Sequence, residues 1–372
     1  MSCYCYRALC AAGISLAIMI PMQAQALEFV SVGPRATGMG GAGVAITTDS
    51  LATYWNPAGL AMTQTVDVRI QGSGQAIGRL GIADAVRDLE DFNPNDPNAA
   101  AKAQDISARI NKPGATISVN GSAGLYIKGH LGEHAFGVNI SDVATGGGFV
   151  STAVTPALTG GVMTLPGFEA RQAAFSYAYA FSDKMFSFGV TGKVIQGAAY
   201  IGSLPLNGGT GISITDNFGK ATISTAFGID AGAIYRPSSW LRFGVVAKDI
   251  NQPTFDAPGG GELKLNPQVR GGVAVNPYSS LTLTADVDAT SNKTLVPGVK
   301  SQILSLGAEQ TIFSEFLSFR VGAFKNMQDA GTPFTPTAGL GVRIFAFRLD
   351  VGGGYDFREE GALVSGSVSL TF

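Results

Sequence analysis

Hydrophobic and polar residues alternate with a period of two along most of the chain after residue 115. In the C-terminal segment, Val364 and Val368 fall on one face, and Ser365 and Ser367 fall on the other. Successive side chains of a β-strand point to opposite faces of the sheet. The alternation therefore predicts a chain made mainly of amphipathic strands.

The whole pattern predicts fourteen strands, joined by connections that alternate between short and long. The predicted strands are 65–73, 115–129, 134–146, 168–181, 185–199, 223–236, 240–250, 267–276, 281–290, 301–312, 317–326, 335–346, 347–357 and 362–372. The connections at 130–134 and 182–184 are tight, whereas those at 144–167, 201–222 and 251–266 are long. Outer-membrane barrels have short periplasmic turns and longer outer loops, and an even strand number places both chain ends at one rim.

A soluble sandwich would show the same alternation, so other features must separate the two folds. The predicted strands run about 10–12 residues, which is the length that a tilted strand needs to cross a bilayer. Charged residues make up only 14% of the chain, well below the roughly 25% of soluble domains. The last strand ends on Phe372, which resembles the terminal signature that outer-membrane assembly machinery recognises. We therefore predict an all-β fold, a transmembrane antiparallel β-barrel.

The N-terminal residues 1–26 are typical of a secretory signal peptide. Arg7 supplies the positive charge, residues 9–20 form a short apolar region, and residues 24–26 form an A-x-A cleavage site. The signal contains all three cysteines: Cys3, Cys5 and Cys10. The mature chain is therefore expected to begin near Leu27 without disulfides or cysteine chemistry, and to reside in the cell outer membrane.

The region 81–112, directly after the first predicted strand, has helical periodicity. Ile82, Val86 and Leu89 fall on one face of a helix, and a second amphipathic pattern follows at 99–110. Two interpretations stay open: a solvated helical loop inserted in the barrel, or a helix that binds a partner protein.

A glycine-rich segment, Arg35–Met62, precedes the strands. Gly38, Gly40 and Gly43 match G-x-G-x-x-G, but a dinucleotide site also needs a βαβ unit, which the rest of the sequence does not predict. A plain glycine-rich turn is a second alternative. Fourteen strands enclose a lumen too wide for wall side chains to fill, so we expect this segment to fold inside it as a plug.

The residues MGGAGVA at 39–45, Asp49 and YWNPAGLA at 54–61 resemble the N-terminal hatch of the FadL-like outer-membrane proteins. This family contains hydrophobic-compound transporters and a branch named after the plasmid-transfer protein TraF. The resemblance implies a fourteen-stranded barrel (64–372) with a hatch (27–63) in its lumen. The predicted hatch and gating residues are Arg35, Gly38, Met39, Gly40, Gly41, Gly43, Asp49, Asn56, Pro57, Ala58 and Gly59.

Charged residues occur on the polar faces of the predicted strands, where we expect them to line the lumen and hold the plug. They are Lys128, Arg171, Lys193, Asp230, Arg242, Arg270, Asp286, Asp288, Glu309, Arg320, Arg343, Arg348 and Asp350. No catalytic set is visible: the two histidines, His130 and His134, flank a predicted turn at the rim. We expect no enzyme activity, metal or cofactor, and the net charge of −2 argues against a nucleic-acid partner.

The leading functional hypothesis is a FadL-like barrel that passes small hydrophobic compounds across the outer membrane. Its expected partners are outer-membrane lipid, a small hydrophobic ligand and the assembly machinery. Five apolar residues of a predicted outer loop are candidates for ligand capture: Phe149, Val150, Leu158, Val162 and Leu165. The alternative is a TraF-like envelope component that contacts other proteins of a conjugal transfer apparatus and transports nothing. The insert at 81–112 resembles that branch.

Overall fold

The computed structural model describes residues 28–209, 219–329 and 331–372. The predicted signal peptide lies outside the described residues. Within them, fourteen strands form a closed barrel in which chain neighbours pair and the first strand pairs with the last. All of these pairings are antiparallel. The predicted transmembrane-type β-barrel is confirmed.

The barrel strands are close to those predicted from the alternation. They are β1 Asp67–Gly78, β2 Thr116–Leu131, β3 His134–Thr152, β4 Gly161–Phe181, β5 Phe186–Leu206, β6 Thr222–Ser238, β7 Leu241–Lys248, β8 Gln268–Tyr278, β9 Leu281–Asp288, β10 Ile303–Ile312, β11 Leu317–Asn326, β12 Thr335–Ile344, β13 Phe347–Asp356 and β14 Gly361–Thr371. The described helices are α1 Pro34–Gly38, α2 Ala52–Trp55, a 3-10 helix Pro57–Met62, α3 Ile82–Glu90 and α4 Ala99–Ile110.

The two ends of the strand series close the barrel. β1 and β14 pair from Asp67 opposite Thr371 to Ala76 opposite Ala362. Just beyond the strands, the backbone N–H of Val66 donates to the Phe372 carbonyl (3.0 Å), and the N–H of Phe372 donates to the Val66 carbonyl (2.9 Å). A closed sheet has no free edge, so every strand finds its backbone partners within the wall.

The outer wall is apolar and the inner wall is polar, the reverse of a soluble protein. Val351 is 51% exposed and Val364 is 68% exposed, whereas Asp350 and Ser365 are buried at 1% and 3%. These exposed residues alternate along each strand with buried ones, as the sequence pattern predicts. An exposed apolar band of this kind fits a lipid environment. None of the helices in the described residues is long and apolar enough to cross a membrane.

Val351→Arg tests the lipid-facing assignment. Val351 lies midway along the exposed face of β13. An arginine at mid-depth on a lipid face costs about 2–4 kcal/mol. We expect the free energy of unfolding, measured by urea titration in lipid vesicles, to fall by about that amount. Val351→Leu should leave it nearly unchanged, and equal stability of both variants would contradict the assignment.

The two rims of the barrel differ in the length of their connections. One, here called the turn rim, carries the short connections, the start of β1 and the end of β14. The other, the loop rim, carries the long ones. The predicted long loop at 144–167 is wrong, because β3, β4 and β5 continue well past their predicted ends and form a wall above the loop rim. The connection after β7 contains a small hairpin, Thr254–Ala257 with Gly261–Lys264.

The helices α3 and α4 lie within the region 81–112 and pack on the chain itself. Their apolar faces form one cluster with Leu165 of β4 and Leu204 of β5. Leu165 and Leu204 alternate in step with the exposed residues Phe175 and Val194 of the same strands. The helices therefore cover the outer face of these strands, and their charged faces point to solvent.

This packing corrects the proposed capture site in an outer loop. Val150, Leu158 and Leu165 belong to the cluster beneath α3 and α4, where Leu158 is 1% exposed. Phe149 and Val162 lie in β3 and β4 and pair with strand residues. The five residues do not form an exposed loop surface, because the strands that carry them extend further than the alternation alone suggests.

Candidate functional site

Residues 28–63, here called the N-terminal segment, cross the lumen from one side of the wall to the other. The helix α1 contacts β11 to β14, and the 3-10 helix Pro57–Met62 contacts β2 to β6. These two sets of strands lie on opposite sides of the closed barrel. Trp55 and Leu60, near the C-terminal end of the segment, are fully buried.

Pro34 and Asn56 begin the helices that lie towards the two ends of the segment. Pro34 occupies the first turn of α1, where its missing N–H costs no hydrogen bond. Asn56 caps the 3-10 helix, because its Oδ1 accepts from the N–H of Ala58 (3.2 Å). Asn56 Nδ2 donates to the carbonyls of Val44 (3.1 Å) and Ala233 (3.3 Å). The wall partner of Asn56 is therefore a backbone carbonyl and not a charged side chain.

Asp49 does meet a wall charge. Its carboxylate lies 3.0 Å from Nη2 of Arg69, which is buried on β1. Lys128 of β2 holds the same region, since its Nζ donates to the carbonyls of Thr48 (2.7 Å) and Thr63 (3.0 Å). These contacts fix the segment near the turn rim.

Arg35 joins the segment to a row of charges on β10, β11 and β13. Its Nη2 lies 2.6 Å from Glu309 Oε1, and Glu309 Oε2 accepts from Arg320 Nε at 2.6 Å. Arg320 Nη1 then lies 2.8 Å from Asp350, which also pairs with Arg348 at 3.0 Å. Carboxylates and guanidinium groups alternate along this row, so each buried charge has opposite charges beside it.

The Glu309 carboxylate stabilises the buried charge of Arg35. Burial alone would lower the pKa of the Arg35 guanidinium, but the neighbouring Glu309 carboxylate raises it above its ordinary value overall. Arg35 therefore remains protonated. A buried charge pair of this kind is costly to break, because the remaining partner is left without compensation.

A second group of charges lies across the lumen. Lys193 Nζ is 2.8 Å from Asp230 and 2.9 Å from Asp249, and Arg270 Nε is 2.6 Å from Asp288 Oδ1. All five side chains are buried or nearly so. The predicted lumen charges are thus mostly brought together as opposite-charge pairs.

Two further wall charges bind the backbone of the segment. Asp286 Oδ2 accepts from the N–H groups of Gly43 (2.7 Å) and Val44 (2.8 Å). Arg242 Nη1 donates to the carbonyl of Ala45 at 3.2 Å. Because these contacts use backbone groups, they hold the position of the segment whatever side chains it carries.

Two predicted lumen charges lie elsewhere. Arg171 is 60% exposed and pairs with Glu169 at 2.6 Å. The residues on either side of Arg171 line the lumen, so Arg171 itself lies on the outer face of β4. Arg343 pairs with Glu315 at 2.7 Å at the turn rim. Arg171 was assigned from the polar character of its strand face, and the observed register of β4 corrects that assignment.

Glycines of the wall let the segment lie directly against the strands. At nine positions a Cβ would come within 3.3 Å of the segment: Gly137, Gly189, Gly232, Gly244, Gly272, Gly307, Gly322, Gly339 and Gly352. These are here called the wall glycines. A Cβ on Gly322, for example, would lie 2.4 Å from the Gly40 nitrogen. Eight of them form directly opposed pairs across neighbouring strands.

The predicted hatch glycines and their neighbours lie on this surface. Gly40 has a φ of +68°, and its N–H donates to Thr337 Oγ1 at 2.9 Å. The predicted hatch residues in contact with wall glycines are Gly38, Met39, Gly40, Asn56, Pro57 and Ala58. Gly59 instead packs within the segment, where a Cβ would lie 2.1 Å from the carbonyl of Thr47.

The sequence analysis missed an aromatic group within the segment. The rings of Phe29 and Trp55 stack with centroids 5.4 Å apart, and Lys248 Nζ lies 3.1 Å from the centroid of the Tyr54 ring. The neighbouring YW pair in the NPAG motif is the signal that could have indicated it. The group packs the segment against β7.

Two cavities lie between the segment and the loop rim. Their volumes are about 130 Å³ and 60 Å³, and Glu28 and Val30 line both. The larger cavity has Phe29, Phe324 and Leu363 in its wall. Burial raises the pKa of the Glu28 carboxyl above its usual value, against the opposing effect of a hydrogen bond from Asn120.

A protein-family model described as the F plasmid transfer operon TraF protein matches residues 53–288. The chain belongs to this TraF family. The match covers the last part of the N-terminal segment (53–63), the helical insert and β1 to β9. A search of curated protein sequences finds no significant match.

Solved structures with the same fold are FadL-family channels, so the predicted FadL-like resemblance of this TraF-family chain is confirmed. The Ralstonia pickettii toluene transporter TbuX is 15% identical, with a TM-score of 0.59 over 91% of this chain and 97% of that one. A Pseudomonas aeruginosa FadL homologue is 13% identical, with a TM-score of 0.57 over 94% and 99%. The Pseudomonas putida toluene transporter TodX is 12% identical, with a TM-score of 0.57 over 93% and 98%. At these identities the likeness establishes the fold.

Proposed function

We propose that this TraF-family barrel lies in the outer membrane and passes small hydrophobic compounds through its lumen. The turn rim then faces the periplasm and the loop rim faces outward. The observation that supports the proposal is the position of the N-terminal segment: its buried residues lie against the inner wall, beside a cavity of about 130 Å³. A sealed structural barrel would need no internal cavity with an apolar lining.

The opening step that we propose is a local movement of the N-terminal segment. The stretch around Gly40 and Gly41 has two consecutive residues with positive φ, where glycine is unstrained. It rests on the backbones of Gly307 and Gly322, which present no side chain of their own against its withdrawal at that point. A bilayer lipid environment and the outer-membrane assembly machinery are the partners that this function requires, and no catalytic step is part of it.

The second candidate is a TraF-like envelope component that transports nothing and contacts other proteins of a conjugal transfer apparatus. The family match over residues 53–288 favours it. The charged outer faces of α3 and α4 would then provide a contact surface at the loop rim.

Deletion of Arg35–Met62 tests the proposed plug. The wall strands pair with one another and not with this segment, so the variant should still migrate faster on a gel before boiling than after it. We expect single-channel conductance in planar bilayers to rise from near zero to that of an open pore. Asn56→Leu, which removes three hydrogen bonds of the segment, should give a smaller or noisier increase.

Uptake separates the two candidate functions. Cells that express the parent protein should take up radiolabelled toluene faster than cells with an empty vector. Uptake equal to that of the empty vector, with normal outer-membrane levels of the protein, would exclude transport of this compound class and favour the envelope component. Unchanged conductance after deletion of Arg35–Met62 would show that the segment is not a plug.

A further inference from the structure

Phenylalanines occupy the tips of two short turns at the turn rim. Phe313 lies in the turn between β10 and β11, and Phe345 lies in the turn between β12 and β13. Phe345 is 94% exposed and Phe313 is 77% exposed. These two residues are here called the tip phenylalanines. Because both rings stand almost entirely outside the protein, their surroundings decide whether they cost or gain free energy.

The two turns are neighbours along the rim. The backbone N–H of Arg343, near the end of β12, donates to the carbonyl of Phe316 in the β10–β11 turn at 2.8 Å. On the other side, the N–H of Thr371 in β14 donates to the carbonyl of Ala346 in the β12–β13 turn at 2.8 Å. The tip phenylalanines therefore belong to one stretch of the rim, next to the end of β14.

The lipid-facing surface of the wall continues without a polar break to these turns. Below Val351 on the outer face of β13 come Leu349 and Phe347, which are both exposed, and the turn with Phe345 follows. Ile344, on the other strand of this hairpin, is exposed as well. An exposed apolar surface that is continuous with the lipid-facing wall indicates that the same bilayer covers both.

The turn between β4 and β5 is different, although it lies at the same rim. It consists of Ser182, Asp183 and Lys184, and Asp183 is exposed. Its backbone resembles that of the phenylalanine turns, because all three residues also have positive φ. The difference between the turns is therefore in their side chains, and a turn with two charged residues is suited to water.

The backbone conformation of the tip phenylalanines is unfavourable for their residue type. Phe313 has a φ of +53° and Phe345 a φ of +54°. Turns with positive φ favour glycine, asparagine and aspartate, whereas a bulky residue is strained there. A contact that the ring makes outside the chain would offset this cost.

We propose that the tip phenylalanines insert into the phospholipid leaflet at the turn rim and anchor the β10–β13 side of the barrel there. The aromatic girdles of outer-membrane barrels flank the apolar band of the wall. The tip phenylalanines lie beyond the strands, so here the turns themselves enter the leaflet. Glu315, which pairs with Arg343 at 2.7 Å, then lies at the level of the headgroups, and the β4–β5 turn projects into water.

In a cell this leaflet is the periplasmic one, since the short turns of outer-membrane barrels face the periplasm. The inference rests on the proposed function only for this orientation. It holds whether or not the lumen passes any compound.

Spin labelling measures the depth of the turns. The three cysteines of the chain all lie in the predicted signal peptide, so a single introduced cysteine carries the only label of the mature protein. Phe345→Cys and Asp183→Cys form a matched pair, because both residues are turn residues with nearly equal φ of +54° and +53°. Each variant is folded into dioleoylphosphatidylcholine vesicles and labelled with a nitroxide. We expect oxygen, which concentrates in lipid, to relax the label at position 345 more than water-soluble nickel ethylenediaminediacetate does. The label at position 183 should show the opposite order.

A second set of variants tests the ring itself, because a nitroxide is also apolar. Ala346→Cys places the label beside Phe345 and keeps both tip phenylalanines. With this label, Phe345→Leu should leave the nitroxide in lipid, whereas Phe345→Glu should shift it towards the nickel complex. Faster migration on a gel before boiling than after it identifies the folded form of each variant.

The outcomes separate this inference from the proposed function. Equal access of the nickel complex to labels at positions 345 and 183 would overturn the insertion and would favour a periplasmic protein as the occupant of this surface. An unchanged label at position 346 after Phe345→Glu would overturn it as well. A lipid-exposed label at position 345 in a protein that takes up no toluene would support the insertion and count against transport alone.

Discussion

Gly322→Ala should displace the N-terminal segment from the wall and open the lumen. The added Cβ would lie 2.4 Å from the Gly40 nitrogen and from the Met39 carbonyl carbon. Both are backbone atoms, which cannot turn aside as a flexible side chain can. Overpacking of this kind typically costs about 1–3 kcal/mol. We expect frequent conductance openings in planar bilayers where the parent is nearly silent.

Gly366→Ala provides the control for this prediction. Gly366 lies on β14, and a Cβ there would meet no atom within 4 Å among the described residues. The same substitution should therefore leave conductance at the parent level. Conductance that rises equally in both variants would mean that glycine loss in any strand disturbs the barrel, and the role of the wall glycines would be refuted.

Glu309→Gln should cost much more stability than removal of the exposed charge of Glu315. Glu309 is 4% exposed and lies between the guanidinium groups of Arg35 and Arg320. Loss of its charge leaves two arginines without their carboxylate, and breaking a buried pair typically costs about 3–5 kcal/mol. We expect the urea midpoint of unfolding in micelles to fall accordingly, and the lumen to open because Arg35 loses its wall partner.

An exposed ion pair of the same type serves as the comparison. Glu315 pairs with Arg343 at the turn rim, where its side chain is 57% exposed. Exposed pairs contribute about 0–1 kcal/mol, so Glu315→Gln should change stability little. Arg35→Gln added to Glu309→Gln should cost less than it does in the parent, because the two residues share one interaction. Similar losses for Glu309→Gln and Glu315→Gln would argue against the row of charges that begins at Arg35.

The facing of most strand residues follows from the sequence alone. In β13 and β14 the alternation assigns Val351 and Val364 to the outer wall and Asp350 and Ser365 to the inner wall, as observed. The strand number and the short turns follow from the same pattern. The reason is that side-chain direction in a strand is a local property with a strict period of two. In a lipid environment the apolar residues face outward instead of being buried in a core, but they still alternate with a period of two.

The alternation does not predict the strand ends correctly where the strands extend beyond the apolar outer band. The ends of β3, β4 and β5 were predicted too short, because glycine and threonine interrupt the alternation at 144–167. Pairing with neighbouring strands and packing beneath α3 and α4 maintain these extensions. Arg171 was misplaced for a related reason: a charged residue outside the band can face outward without meeting lipid.

What only the tertiary structure decided is which inward residues meet. In the sequence, Asp350 is only one polar position on β13. In the structure it lies beside Arg320 (2.8 Å), Arg348 (3.0 Å) and Arg69 of β1 (3.7 Å). The pairing of Gly307 with Gly322 likewise appears only once β10 and β11 are in register. A period of two tells each residue which face it occupies, but contacts across the lumen depend on strand register, barrel closure and the path of the N-terminal segment. These are non-local properties, and the larger cavity exists only as their combined result.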